Sequence, residues 1–429
     1  MKILKIHRII SIFVALFLVY LGVTGSLIEM VDLKGLLLKD SASSPNLQAM
    51  RGDLNGPGDY AMIAPFDYTA SLLPGSADIP SLLSKTASLA QQAIPQTPLR
   101  YVEVRVVDGK LRGIAQFNDP LPRPAPGSGP FGGGGKNQKK PEHKALAFDL
   151  ISQQKIDTDK PVFAHNVEMR DALRIQVKSL HRMTTFGDLA LWINVIVAAS
   201  LIALLITGVW VYIRQYKARA KMGRKGPFWK AQDWWRTLHR STSMVCILFL
   251  AALTLSGGWL AVESLVFGWY LTGQMEQAKA GKPIAMFADS FSNLPTEDIK
   301  TYAQTTMEGY ARLHPDTTPR AVRLRVYANY AQGVVIGGER EAEQIVFNAK
   351  TGNTMLETEP GYPKTGFPFG WQAHQWAKKV HNGSMIGLTG RWMSFIGGLA
   401  LTYLSVSGLV MYVNMWRRRR RNGKAAPIW

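Results

Sequence analysis

The chain has a single cysteine, Cys246, among its 429 residues. One cysteine cannot form an intrachain disulfide, a cluster of thiolate ligands or a C-x-x-C-H haem attachment. A redox centre in this chain must therefore use nitrogen or oxygen ligands, or be held without a covalent bond. The sequence also lacks a glycine-rich phosphate motif between a strand and a helix, and it lacks H-E-x-x-H. Binding of nicotinamide, flavin or ATP and zinc-dependent proteolysis therefore have no support.

Charge is absent from four long stretches of the sequence. Each stretch is apolar and 20 to 25 residues long: Ile9–Ile28, Leu189–Ile213, Ser241–Val262 and Trp392–Val413. A helix needs about 20 apolar residues to cross the hydrocarbon core of a bilayer. This pattern excludes a purely soluble protein and predicts a lipid bilayer as partner. The predicted transmembrane helices cover residues 1–30, 181–214, 239–265 and 386–415.

Acidic residues are scarce beside these stretches, whereas basic residues are abundant there. Residues 1–8, 214–240 and 414–429 hold 18 Lys and Arg against one acid, Asp233, and so carry +17 of the formal net charge of +20. The positive-inside rule then predicts that both termini are cytoplasmic. Because this rule accounts for the basic residues, we do not expect a nucleic-acid partner.

The same rule assigns a side to every segment between the spans. The loop 215–238 and the tail 416–429 are predicted to be cytoplasmic, and the long segments 31–180 and 266–385 to lie outside. Within the first long segment, residues 119–144 are rich in Pro, Gly and Lys. Such a composition cannot bury a core, so it predicts a flexible loop.

The two halves of the chain repeat one another. Shifts of 200 and 232 positions superpose four pairs of residues: His181 with His381, Gly208 with Gly408, His7 with His239, and Gly25 with Gly257. Both halves begin and end on the same side of the membrane. The predicted fold is therefore a membrane α-helical protein with four transmembrane helices in two parallel repeats, related by a pseudo-two-fold axis along the membrane normal.

The outer segments repeat as well, each as a small α+β domain. Each has one helical stretch followed by three stretches with the alternation of a half-buried strand. The helices are predicted over Ser81–Ala93 and Thr296–Leu313. The strands are predicted over Tyr101–Val107, Lys110–Phe117 and Ala145–Ile156, and over Val322–Tyr330, Gly333–Gly338 and Ile345–Leu356.

Four of the eight histidines lie at the ends of the predicted spans, in positions that the repeat superposes: His7, His181, His239 and His381. Imidazole suits haem iron, and facing helices of a bundle supply pairs of such ligands. Pairing His7 with His239 and His181 with His381 would place one haem b in each leaflet. The competing interpretation is that histidines at a membrane interface cap helices or face lipid headgroups. The symmetric register favours ligation of iron.

Two difficulties accompany this prediction. A span of about 20 residues is roughly 30 Å long, so ligands at opposite ends would leave the two irons far apart. Either His181 and His381 dip inward, or an aromatic such as Trp192 or Trp392 lies between the centres, or the histidines pair differently. His374 lies seven residues before His381, about 10 Å along the same helix face, so the two cannot bind one iron from a continuous helix. His374 is a candidate additional cofactor ligand or substrate-facing residue.

The remaining histidines and two acids have simpler interpretations. His143, His165 and His314 are expected to be exposed to solvent. Glu29 and Glu263, just past the outer ends of spans one and three, are candidate proton carriers. The favoured interpretation is that both acids face water at the interface.

The glycines that the repeat superposes have two interpretations. Gly25, Gly208, Gly257 and Gly408 could admit a flat macrocycle or the close approach of another helix. The second is the commoner use of small residues in membrane helices.

This layout resembles the PepSY-associated transmembrane helix family over nearly the whole chain. The resemblance rests on six short motifs: Ile6-His7-Arg8 and Leu238-His239-Arg240 opening spans one and three, Thr24-Gly25 and Ser256-Gly257 closing them, and Leu180-His181 and Val380-His381 preceding spans two and four. It implies that the outer segments are periplasmic PepSY-like domains and that the chain lies in a bacterial inner membrane.

The resemblance also implies an activity. Iron-regulated members of the family are similar to inner-membrane siderophore reductases, which bind haem and reduce ferric siderophores in the periplasm. A haem-dependent oxidoreductase acting on a ferric siderophore or another ferric chelate is therefore expected. Some relatives carry a fused cytoplasmic flavin reductase domain. This chain lacks one, so its electrons are expected from a quinol or a separate donor.

A candidate substrate site lies near His381. Siderophores hold Fe(III) with hard oxygen donors, and one electron loosens the metal because Fe(II) matches such donors less well. The mouth of the site is predicted at Phe367, Phe369, Trp371 and Trp376, although an interfacial aromatic belt explains the same residues equally well.

Two other functions stay open. One is a non-catalytic membrane protein whose PepSY-like domains bind or regulate a periplasmic protease or partner. The other is a component of metal uptake without redox chemistry.

Overall fold

The computed structural model describes most of the chain, namely residues 2–38, 44–52, 70–119, 143–156, 172–224, 226–230, 233–280, 291–338, 342–355 and 369–423. Within them, four helices are long and apolar enough to cross a membrane: Ile3–Leu37, Leu189–Ala220, Ile247–Gln274 and Ser384–Arg421. The prediction of a membrane protein with four spans agrees with this finding.

The described residues form ten α-helices and eight strands. The helices are α1 (Lys2–Leu37), α2 (Pro45–Gly52), α3 (Ile79–Ala93), α4 (Leu173–His181), α5 (Asp188–Ala220), α6 (Trp234–Val245), α7 (Ile247–Lys279), α8 (Ile299–Leu313), α9 (Gly370–His381) and α10 (Gly387–Arg421). The strands are β1 (Leu99–Val107), β2 (Lys110–Phe117), β3 (Ala145–Asp149), β4 (Lys155–Ile156), β5 (Phe291–Ser292), β6 (Ala321–Tyr327), β7 (Tyr330–Gly337) and β8 (Glu343–Asn348).

The third predicted span, residues 239–265, is not one continuous helix. Helix α6 ends at Val245 and α7 begins at Ile247, with Cys246 as the C-cap of α6. The Ser243 hydroxyl donates a hydrogen bond of 2.6 Å to the carbonyl of His239. Such a side-chain bond competes with the backbone ladder and bends helices. The break therefore follows from local chemistry that hydropathy does not register.

The histidines before spans two and four end short helices of their own. Helix α4 ends at His181 and α9 ends at His381, and each is followed by a single 3-10 turn. Gly187 and Gly387 then turn the chain with φ of 79° and 66°, a region that favours glycine. Helices α5 and α10 therefore begin at residues 188 and 387, after this turn.

A single antiparallel sheet joins the two outer segments. Its strand order is β4-β3-β2-β1-β6-β7-β8, with β5 also paired to β6. In the centre, Val102 of β1 lies opposite Leu324 of β6. Two small α+β domains were expected, one in each outer segment. Instead, β1 of the first segment pairs with β6 of the second, so the two segments share one sheet. Pairing of this kind protects both edges.

One hydrophobic core runs beneath both halves of this sheet. It includes Leu83 of α3, Val102 and Leu324 of the central strands, and Tyr310 of α8. Helices α3 and α8 therefore cover one face of the sheet jointly, and the outer segments share their burial of apolar surface.

The turns of the sheet follow the sequence only in part. Asp108 and Gly109 have φ of 51° and 70°, as the predicted turn requires. Ala328 and Asn329 make the same turn in the second half, with φ of 50° and 69°. The predicted strand Val322–Tyr330 runs through this turn and is wrong there.

The third predicted strand of each segment is also too long. Asp149 Oδ1 accepts hydrogen bonds from the backbone of Ile151 and Ser152 at 3.0 and 3.1 Å. Asn348 Oδ1 accepts one from Lys350 at 2.9 Å. These side-chain turns end β3 and β8 early.

A buried ion cluster links the two central strands. Glu103 of β1 pairs with Arg105 of its own strand and with Arg323 of β6, whose Nη2 lies 2.6 Å from Glu103 Oε2. Burial alone raises the pKa of Glu103, but these two guanidinium groups hold it below its ordinary value. Glu103 is therefore ionised at neutral pH and joins the two outer segments electrostatically.

Candidate functional site

The four predicted ligand histidines share one local environment. In each case the imidazole lies against a Ser or Thr hydroxyl on a neighbouring long helix. The Nδ1–oxygen distances are 2.8 Å for His7 and Thr207, 2.9 Å for His181 and Thr24, 2.8 Å for His239 and Ser407, and 3.2 Å for His381 and Ser256. In the first half, α5 contacts the histidine of α1, and α1 contacts the histidine of α4. In the second half, α10 contacts the histidine of α6, and α7 contacts the histidine of α9.

The hydroxyl groups determine which imidazole nitrogen carries the hydrogen. Each hydroxyl donates its own hydrogen to a carbonyl about one turn earlier: Thr24 to Tyr20 at 2.7 Å, Thr207 to Ala203 at 2.7 Å, Ser256 to Ala252 at 2.6 Å, and Ser407 to Leu404 at 3.1 Å. Its oxygen must then accept from the histidine, so Nδ1 carries the hydrogen and Nε2 keeps a free lone pair. Metal-ligating histidines commonly have this arrangement.

Four glycines make room for the imidazole rings. Each directly follows one of the hydroxyl residues. A methyl group placed on the glycine would approach Cε1 of the histidine to 3.2 Å at Gly25, 2.9 Å at Gly257, 3.5 Å at Gly208 and 3.8 Å at Gly408. For each of these glycines, the imidazole is therefore the nearest described group outside the glycine's own helix. The glycine supports the histidine's position rather than admitting another helix backbone.

His181 and His381, the sheet-end pair, face each other where the two halves of the bundle meet. Their ring centroids are 6.2 Å apart and the ring planes are inclined by 38°. Two imidazoles on opposite sides of one metal ion have centroids roughly 6 Å apart, since each nitrogen–metal bond is about 2 Å and each centroid lies about 1 Å behind its nitrogen. The observed spacing fits one ion between the two rings.

His7 and His239, the basic-end pair, line a cavity of about 500 Å³ between α1, α5, α6 and α10. This volume lies within the range of roughly 300–1,000 Å³ that is usual for ligand sites. Arg8, Arg236 and Arg240 also line the cavity, whereas its other walls are mostly aliphatic. An apolar ligand with anionic groups at one end suits this combination.

The two pairs lie at different depths in the bundle. His7 is near the start of α1, and His181 contacts Thr24 seventeen residues later on the same helix. That distance is about 26 Å along the axis. Helix α1 continues to Leu37 beyond this contact. The two histidine pairs are therefore far apart along the bundle, and the inward dip of His181 and His381 stays a prediction.

Neither tryptophan lies between the two pairs. Trp192 packs against Trp269 with ring centroids 5.6 Å apart, and Trp392 packs against Phe395 at 5.9 Å. Both are on the outside of the bundle, 46% and 42% exposed. The expectation that one of them bridges the centres is wrong for this arrangement.

His374 is not part of either pair. Its Nδ1 lies 2.7 Å from Oε2 of Glu263 on α7. Glu263 is 1% exposed and Glu29 is also buried, so the prediction that these acids face water is wrong. Hydropathy places both acids at a span end, but it cannot show that a short helix folds back over them.

Glu29 belongs to a buried ion cluster in the first half. Arg174 Nε lies 2.6 Å from Asp32 Oδ1, and Arg391 Nη1 lies 2.9 Å from Asp32 Oδ2 and 3.3 Å from Glu29 Oε2. The cluster links α1, α4 and α10. Two carboxyl groups and two guanidinium groups thus lie together inside the bundle.

The other predicted residues are placed as follows. His143 Nδ1 donates a hydrogen bond to Asp119 Oδ1 at 3.0 Å, and the side chain of His143 is only 11% exposed, so the prediction of solvent exposure is wrong. His314 is partly exposed and stacks on Tyr310. His165 lies outside the described residues.

The predicted substrate mouth is described only in part. Phe369 stacks on Trp259 with ring centroids 4.6 Å apart, and Trp376 is exposed on α9. Phe367 and the side chain of Trp371 lie outside the described residues. The mouth therefore stays a prediction.

Thr207 and Ser407 are not among the site residues predicted from the sequence. A signal for them exists, because a hydroxyl–glycine dipeptide recurs in every span: Thr24-Gly25, Thr207-Gly208, Ser256-Gly257 and Ser407-Gly408. The same shifts of 200 and 232 positions superpose the dipeptides and the histidines.

The comparisons with known proteins agree with this layout. A family model described as PepSY-associated TM region matches residues 4–415. The match covers all four spans, both outer segments and every residue of the two histidine pairs. No curated protein matches the chain significantly.

Proposed function

Because the chain belongs to the family of the PepSY-associated TM region, we propose that it is an inner-membrane haem b oxidoreductase. It passes electrons across the bilayer and reduces ferric iron, held by a siderophore or a similar chelate, on the periplasmic side. The observation that carries this proposal is the fourfold arrangement of histidine, hydroxyl and glycine, which leaves Nε2 of each imidazole free.

The donor set fits a haem better than a bare metal ion. In the part of the chain that the structure describes, no group of three or more His, Cys, Asp or Glu side chains is placed to hold a metal. Two imidazoles alone are too few ligands for a bare metal ion, whereas haem iron needs only one or two from the protein. The 6.2 Å spacing of the sheet-end pair is consistent with His181 and His381 holding one such iron.

The basic-end pair has the complementary features of a haem pocket. Its cavity has apolar walls for a macrocycle, and Arg8, Arg236 and Arg240 supply donors for carboxylates. These arginines lie at the end of the bundle where the basic segments gather. His7 and His239 would hold a haem there, and His181 and His381 would hold one at the other end.

When bound, haem would supply one-electron redox chemistry. The chain's own residues orient each imidazole, because Thr24, Thr207, Ser256 and Ser407 accept its Nδ1 hydrogen. Hydrogen bonding of this kind raises the basicity of a histidine ligand.

Reduction of a ferric chelate by the purified protein tests this function. The protein, reduced by dithionite and freed of excess reductant, is mixed anaerobically with a ferric hydroxamate siderophore and a ferrous-iron chelator. We expect the reduced haem band to decay while the ferrous complex forms in a matching amount. His381→Ala should abolish the reaction, and His314→Ala, a histidine outside both pairs, should retain it. A haem protein that stays reduced would contradict the ferric reductase, and a colourless protein would contradict the haem function itself.

A further inference from the structure

A buried carboxylate on α7 has only one of its two oxygens satisfied. Glu263 is 1% exposed, and its Oε2 is 2.7 Å from His374 Nδ1. Its Oε1 is buried and makes no hydrogen bond within the described structure. A buried polar atom without a partner is costly and rare in native proteins, and a role in proton transfer or a bound water is a common explanation. Glu263 therefore has capacity for an additional proton or hydrogen bond.

The surroundings of this carboxylate are cationic. The other charged groups that act on His374 are Lys378, one turn later on α9, and Arg182, which follows α4. Arg182 Nη2 also lies 3.3 Å from the hydroxyl of Ser264, the residue next to Glu263. Two basic side chains therefore lie close to the contact between Glu263 and His374.

The equivalent position in the first half is built differently. Arg174 lies seven residues before His181, as His374 lies seven residues before His381. Arg174 holds Asp32 together with Arg391. A guanidinium group keeps its charge in proteins, whereas an imidazole gains or loses a proton near neutral pH. Only the second half can therefore exchange a proton at this place.

The second-half position is also close to the sheet-end pair. His374 and His381 are seven residues apart on α9, about 10 Å along its axis. Both meet α7, where His374 contacts Glu263 and His381 lies 3.1 Å from the carbonyl of Leu253. Charges interact strongly over such a distance in an interior of low dielectric constant.

We propose that Glu263 and His374 are a proton-transfer pair coupled to the redox centre at His181 and His381. The inference rests on the proposed function. If a haem at that centre took up one electron from the donor, one proton from the aqueous phase at the sheet end would bind to the pair at Glu263 Oε1. When the electron passed on to reduce Fe(III) to Fe(II), the proton would return to the same aqueous phase. The pair thereby offsets the added negative charge.

The test is the midpoint potential of the haem protein as a function of pH, measured by optical redox titration between about pH 5 and 8, where histidine titrates. In the wild type we expect the potential of one haem to fall with rising pH, with a slope approaching one proton per electron. Glu263→Gln should remove this slope while leaving the haem content unchanged. Glu297→Gln, the same substitution at an exposed acid of the second outer segment, should retain it.

A second readout covers a variant that fails to fold. The redox-induced infrared difference spectrum of the wild type should contain a carboxylic acid band that shifts in D2O. A wild-type potential that does not depend on pH, or a slope that survives in Glu263→Gln, would overturn the pair and leave the proposed function standing. A protein without haem would overturn both, and the visible spectrum alone would reveal that case.

Discussion

At each of the four histidines, a single hydroxyl determines the tautomer of the imidazole. The hydroxyl hydrogen is committed to the helix backbone, as at Thr207, which donates to Ala203. The oxygen can then only accept, and Nε2 of His7 is left free. A capping or headgroup-facing histidine, the competing interpretation, would have no need of an oriented acceptor in every span.

The glycine beside each hydroxyl offers a graded test at the residue scale. In Gly257→Ala the new methyl group would lie 2.9 Å from His381 Cε1, closer than side chains normally approach, whereas in Gly408→Ala the distance to His239 Cε1 is an ordinary 3.8 Å. We expect Gly257→Ala to lose up to half of the bound haem, the share of the sheet-end pair, and Gly408→Ala to keep it. The haem-to-protein ratio of each purified variant measures this. Equal haem loss in both variants would contradict the role assigned to the glycines.

The histidines and glycines can be predicted from the sequence because the internal repeat aligns them. Their partners cannot be predicted in the same way. Which helix Thr207 faces depends on the rotation of α5 about its axis, and the charge-free run Leu189–Ile213 has no polar face to reveal it. The burial of Glu263 cannot be predicted from the sequence either, because the helix that covers it, α9, lies more than 100 residues later in the chain.

At the scale of elements, the central pairing of β1 and β6 converts two segments into one sheet. Alternating residues predict where the longer strands lie, with errors at their ends, but they do not specify which open edge pairs with which. The observed pairing brings Glu103 beside Arg323, a contact between residues that are far apart in sequence. The local pattern of residues predicts that the strands exist. Their order in the sheet depends on which strand edges become buried.

The buried carboxylate of Glu103, where β1 meets β6, predicts that the sheet loses stability in acid. Glu103→Gln leaves Arg105 and Arg323 without their counter-charge and should destabilise the outer segments by about 3–5 kcal/mol, the usual cost of breaking a buried ion pair. Glu297→Gln, at an exposed position, should change stability by less than about 0.5 kcal/mol. Chemical unfolding followed by the strand signal in circular dichroism measures the difference. Equal effects of the two substitutions would contradict the account.

The pH dependence has the same origin. The folded-state pKa of Glu103 is lowered, so its contribution to stability is fully present above the unfolded pKa, about 4.3. It is lost as pH falls from there through the folded pKa. We expect the wild-type outer segments to lose stability below about pH 4, and Glu103→Gln to lose less over the same range. A pH profile unchanged by the substitution would show that other groups control acid unfolding.

At the scale of the whole molecule, all basic segments gather at one end of the bundle and the sheet-bearing segments connect at the other. The end of α5, the start of α6 and the end of α10 share the basic end. The positive-inside rule predicts that this end is cytoplasmic. Alkaline phosphatase fused after residue 355 should therefore be active in bacterial cells, and the same fusion after residue 423 should be inactive. The reverse pattern would invert the proposed direction of electron transfer.

The two histidine pairs divide this bundle into two sites, one at each end. About 26 Å of α1 separates His7 from Thr24, the contact of His181. Neither pair alone connects the two sides of a membrane. Electron transfer across the bilayer therefore requires both sites to be filled.

The central claim is that each pair holds one haem b, and the haem-to-protein ratio tests it most directly. The measurement is a pyridine haemochrome assay on the protein purified in detergent, with the protein quantified by amino-acid analysis. The account predicts two haem b per chain in the wild type, and one in either His239→Ala or His381→Ala. A wild-type protein that contains no haem and takes up none when haem is added would contradict it.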